Sequence, residues 1–123
     1  MSEPMLGRAV DPSEYGTLDT FPVDHPVSVR FETAELEALC PAVEGIQPDI
    51  YRCVIEYRAD TVSLESKSLK YWLVTFRDRR IFAENLAAEI GTTISAVEGL
   101  TFQRVTLTQN IRGGLIETVT YEE

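Results

Sequence analysis

Between Ile50 and Tyr57 the chain alternates with period two: Tyr51, Cys53, Ile55 and Tyr57 share one face, and Arg52 and Glu56 point the other way. A strand with one apolar and one polar face belongs to an antiparallel sheet buried on one side. From Ser68 the period changes. Leu69, Trp72, Leu73 and Phe76 fall at i, i+3, i+4 and i+7, which predicts a helix, and Leu86, Ile90 and Ile94 predict a second from about Ile81 to Val97, with Gly99 at its exit. Thr101–Thr108 and Leu115–Tyr121 are predicted strands joined by a turn through Asn110, Gly113 and Gly114. Upstream, Val27–Phe31 is a short predicted strand, Glu32–Leu39 a helical turn, and the run CPAVEGIQPD from Cys40 to Asp49 a loop. The expected fold is α+β, with an antiparallel four-stranded sheet and two helices on one face in ββααββ order. Residues 21–123 form one domain, preceded over 1–20 by a polar arm whose Pro4, Gly7, Pro12 and Gly16 mark it as flexible.

At 123 residues the chain fits a single domain, and 44% hydrophobic with 25% charged residues argues against overall disorder. The formal net charge of −9 argues against gripping nucleic acid, which requires lysine and arginine on phosphates. Neither Cys40 nor Cys53 belongs to a CxxC pair, so no metal site or disulfide framework is expected. No apolar run reaches the roughly 20 residues of a membrane span, and MSEPMLGRAVDPSEYG lacks a secretory pattern, so a cytoplasmic protein is expected. A domain of this size leaves much surface exposed, which self-assembly would cover.

Two places can carry chemistry. Cys40 lies in irregular backbone with Asp49 at the mouth of the next strand; a thiol and a nearby carboxyl make a nucleophile and a general acid/base. Any loop with both residue types would qualify, whereas Cys53, on the apolar face of a strand, reads as a core thiol. The second place is Glu65-Ser66-Lys67-Ser68-Leu69-Lys70-Tyr71-Trp72. One helical turn sets Lys67 and Lys70 on the same side at a helix entry, a basic cluster suited to phosphate in an otherwise acidic chain. Its plain structural alternative is a capped helix with a solvated lysine face.

That octapeptide resembles, at every position, the signature of the 7-cyano-7-deazaguanine reductases of the tunnelling-fold superfamily. Leu39-Cys40-Pro41, Gln47-Pro48-Asp49, Phe21-Pro22 with His25, Phe76-Arg77, Phe82-x-Glu84 and Arg112-Gly113-Gly114 extend the similarity over roughly residues 21–117. The resemblance implies a tunnelling fold whose subunits close into an oligomeric barrel, with active sites between subunits. It implies NADPH-dependent reduction of a nitrile on a small deazapurine to an amine, on the route to the tRNA nucleoside queuosine. Cys40 would form a covalent thioimide and Asp49 supply the proton. Glu84 would hold the guanine-like edge, with Leu64, Glu65, Ser66 and the position of Ala83 lining the substrate pocket. Lys67, Lys70 and Arg112 would hold NADPH phosphates.

The chain departs from that pattern in two ways. Nine positions separate Cys40 from Asp49 where the family usually has seven, and Ala83 stands where it has histidine. Two rival readings use the same residues: an amidinotransferase-like relative adding ammonia to the nitrile of a modified tRNA, and a purine- or pterin-binding protein without activity. The lysine signature and the acidic charge argue against the first, while the longer loop and Ala83 are the support for the second.

Overall fold

The computed structural model describes residues 16–111 and 113–123. Four long strands, β2 (Val27–Leu39), β3 (Pro48–Ala59), β5 (Leu100–Asn110) and β6 (Ile116–Glu122), form one antiparallel sheet in the order β2-β3-β5-β6. Helices α1 (Ser66–Val74) and α2 (Ala83–Ser95) lie between β3 and β5 in sequence and cover one face. Two short strands not expected from the sequence, β1 (Thr20–Pro22) and β4 (Val62–Leu64), pair beside the start of α1.

Alternation on β3 works as expected. Tyr51, Cys53, Ile55, Tyr57 and Ala59 are buried against the helices, where they meet Leu69, Trp72 and Leu73 of α1 and Leu86, Ala87, Ile90 and Ile94 of α2 in one core. α2 lies close over the sheet at Gly91, where an added Cβ would stand 2.4 Å from Cδ2 of Tyr121 and 3.0 Å from Cζ of Phe102.

The expected helical turn over Glu32–Leu39 is instead the second half of β2. Its register against β3 shifts between Thr33 and Leu36. Before that bulge the inward residues are Val29, Phe31 and Thr33; after it they are Leu36 and Ala38. One extra residue moves the apolar positions from odd to even numbers, which breaks the period-two signal. The loop after Cys40 also ends earlier than expected, since Pro48 and Asp49 open β3. Proline is tolerated at the first position of a strand.

Of the expected arm over 1–20, residues 1–15 lie outside the described residues. Asp19 is tied to the start of α1: its carbonyl accepts from Glu65 N–H at 2.9 Å, and its own N–H donates to Ser68 Oγ at 2.9 Å.

Candidate active site

Strand parity brings the chemistry together. Ala38 of β2 faces inward and pairs with Asp49 of β3. Cys40 follows two positions on, and its N–H donates to the carbonyl of Gln47 at 3.0 Å. On the other half of the sheet Gln109 pairs with Glu117, on the inward face that Val119 and Tyr121 share. The first turn of α2 lies over this end, because Leu39 forms a parallel bridge with Arg80 just before it. Cys40, Asp49, Ala83, Glu84, Gln109 and Glu117 consequently line one open cavity of about 1190 Å³.

The thiol of Cys40 is partly exposed, whereas Cys53 is buried in the core and its thiol is pushed up to about 12 by that burial. Burial, and then the charge of Glu117, raise the Asp49 carboxyl above its ordinary value, so it keeps its proton to higher pH than a free aspartate. Gln109 Nε2 donates to Glu117 Oε1 at 2.9 Å and fixes that carboxylate. Glu84 sits exposed in the first turn of α2, where the helix dipole favours an anion. The hydroxyl of Tyr51 is buried with no hydrogen-bond partner among the described residues, and burial followed by the charges of Asp49 and Glu117 pushes its phenol up.

The other candidates stand elsewhere. Leu64 and Glu65 are buried, and Leu64 N–H donates at 3.0 Å to the hydroxyl of Tyr57. Tyr57 lies towards the opposite end of β3 from Asp49, on the order of 25 Å of extended strand away. Both carboxylate oxygens of Glu65 are buried without a hydrogen-bond partner among the described residues. Ser66 and Lys70 line a second cavity of about 290 Å³, between α1 and the bulged part of β2, together with Arg77. Arg112 lies outside the described residues.

No side chain caps the entry of α1, and the first turn carries no acidic residue. Ser66 and Lys67 in this first turn and Lys70 in the next are the residues of α1 that would hold the phosphates of a dinucleotide, as charged or polar groups at a helix entry.

Glu117 and Arg80 were not singled out in the sequence. Glu117 carried a signal, an acid on the apolar phase of a predicted strand. Arg80 carried none, because Arg77-Asp78-Arg79-Arg80 reads as a solvated charge run.

Fold and cavity together define an α+β protein with a thiol–carboxyl site at one end of an antiparallel sheet. Residues 48–123 match the model of the family described as QueF-like protein. The chain is 38% identical over 121 residues to the NADPH-dependent 7-cyano-7-deazaguanine reductase of Syntrophus aciditrophicus, covering 96% of this chain and 84% of the relative. It is 39% identical over 100 residues to the enzyme of the same name from Frankia casuarinae, covering 80% of this chain and 78% of the relative. Among solved structures, the archaeosine synthase QueF-Like in its apo form superposes with a TM-score of 0.65 at 20% identity, over 82% of this chain and 95% of that one. At that identity the likeness speaks for the fold. The chain belongs to the QueF-like family.

Proposed function

We propose that this protein, an NADPH-dependent 7-cyano-7-deazaguanine reductase by family, reduces the substrate nitrile through a thioimide on Cys40. The observation that supports the reading is the cavity that Cys40, Asp49 and Glu84 line together. The thiolate form of Cys40 bonds through its sulfur to the nitrile carbon, and Asp49, whose carboxyl holds its proton more tightly than a free aspartate, gives that proton to the nitrile nitrogen as that nitrogen gains charge. Glu84 accepts hydrogen bonds from a ring N–H and the exocyclic amine of the base. Ala83 contributes only a methyl group to the wall, so Glu84 supplies the polar recognition there. NADPH supplies the two hydrides that take the nitrile to the amine, and Lys67, Lys70 and Arg112 hold its phosphates.

Glu65 stands towards the far end of the sheet from Cys40, and Lys70 beside the bulged middle of β2, outside the cavity that holds Cys40. The reading therefore places them in the site of a neighbouring subunit, within an oligomeric barrel joined along β2 and β6, the outermost strands of the sheet among the described residues. It takes a small deazapurine as substrate, makes no direct contact with nucleic acid, and sets the enzyme in the cytoplasm. Intact-protein mass after incubation with 7-cyano-7-deazaguanine tests it. The wild type and Cys53→Ala gain the mass of the nitrile, and Cys40→Ala does not. An adduct that persists in Cys40→Ala removes the assignment.

A further inference from the structure

We infer that Arg80 is the positioning residue for the Cys40 thiol, gathering the carbonyls of the nucleophile's own loop onto one guanidinium. The inference rests on the reading of Cys40 as the nucleophile. Its geometry begins one residue earlier. Leu39 N–H donates to Arg79 O at 2.8 Å, and Ile81 N–H donates to Leu39 O at 3.2 Å, which locks the segment around Arg80 beside the end of β2. From there the Arg80 side chain reaches over the loop. Nη1 donates to the carbonyls of Cys40 at 3.3 Å and Val43 at 3.1 Å, and Nη2 to that of Gly45 at 2.6 Å.

Both backbone polar groups of Cys40 are thus held, its N–H by Gln47 and its C=O by Arg80. Gly45 adopts φ +84°, the left-handed conformation that glycine accepts without strain, so the loop can turn inside the clamp. A planar guanidinium suits three acceptors spread along a loop, because its N–H groups diverge in a rigid fork; an ammonium gathers its donors at one point. Arg80 acts through the loop and needs no contact with substrate. Its effect is to restrict where the sulfur stands relative to Asp49, and displacements of about 1 Å are enough to slow a reaction on the order of a hundredfold.

The test compares Arg80→Ala and Arg80→Lys with Arg58→Ala, which removes an equal charge from the ion pair with Asp60 near the far end of β3. Adduct formation with 7-cyano-7-deazaguanine is timed by intact-protein mass at saturating nitrile, and amide hydrogen exchange is followed over residues 40–47. Arg80→Ala should form the adduct roughly 10- to 100-fold more slowly, without rescue by more nitrile, and should exchange faster in that segment. Arg80→Lys should fall between it and the wild type, and Arg58→Ala should match the wild type in both measurements. Wild-type rates in Arg80→Ala, with the adduct still lost in Cys40→Ala, overturn the role of Arg80 alone. Unchanged exchange over residues 40–47 in Arg80→Ala also overturns it. An adduct that survives Cys40→Ala overturns the nucleophile reading and the positioning role with it.

Discussion

Tyr51 and Tyr57 lie on the same buried face of β3, yet their hydroxyls meet opposite fates. Tyr57 Oη lies 2.7 Å from Ser63 Oγ and accepts from Leu64 N–H at 3.0 Å, whereas Tyr51 Oη is buried with no partner among the described residues. A buried polar group left unpaired costs about 1–3 kcal/mol. The same substitution should therefore act with opposite sign: Tyr57→Phe lowers unfolding free energy by about 1–3 kcal/mol, and Tyr51→Phe raises it by about 1 kcal/mol, as read from urea denaturation. At the neighbouring inward position, Glu117 is one of the two causes holding the Asp49 carboxyl up. Glu117→Gln removes that charge and lets the Asp49 pKa fall. If Asp49 gives the proton, adduct formation declines as pH rises through its pKa, so the descending limb of the pH–rate profile should move to lower pH in Glu117→Gln. A limb that stays in place counts against Asp49 as the donor.

At the scale of elements, the parts read correctly from sequence are those where one period holds throughout. β3 alternates without interruption over its buried face, and α1 and α2 keep their apolar stripes, so their existence and faces were legible. β2 was half lost because the bulge at Thr33–Leu36 reverses its phase within a stretch rich in the good helix formers Glu, Ala and Leu. Pairing with β3 overrides that local preference. Cys40 and Asp49 could be proposed from their residue types, but the inclusion of Gln109 and Glu117 depends on which strands become neighbours, a non-local fact. The packing of α2 gives a direct check. Alanine at an exposed helical position gains about 1 kcal/mol over glycine, but Gly91→Ala drives a methyl group into the rings of Tyr121 and Phe102. The clash should dominate, with a net loss of about 1–3 kcal/mol measured by thermal or urea unfolding. A variant more stable than the wild type would mean that α2 yields easily from the sheet.

At the scale of the whole molecule, the residues proposed for one site lie apart on the sheet. Cys40, Asp49 and Glu84 share a cavity at one end, while the buried carboxylate of Glu65 lies near the start of α1, towards the other. Among the described residues no strand pairs with the outer edge of β6, nor with that of β2 apart from the bridge between Leu39 and Arg80, and Ile46, Ile50, Phe82, Leu115 and Ile116 are exposed apolar side chains. Unpaired edges and exposed apolar surface both favour self-association, even against the repulsion of a net charge of −9. If the site forms between subunits, Cys40→Ala and Glu65→Gln should each be inactive alone. Unfolded together at equal amounts and refolded, they should regain up to about a quarter of wild-type turnover, because random assembly pairs an intact Cys40 with an intact Glu65 across that share of a ring's interfaces. Light scattering on the same samples should report an assembly larger than the chain. If mixed assemblies form and remain inactive, Cys40 and Glu65 do not serve one site across an interface, and the cavity around Cys40 must bind its substrate without Glu65.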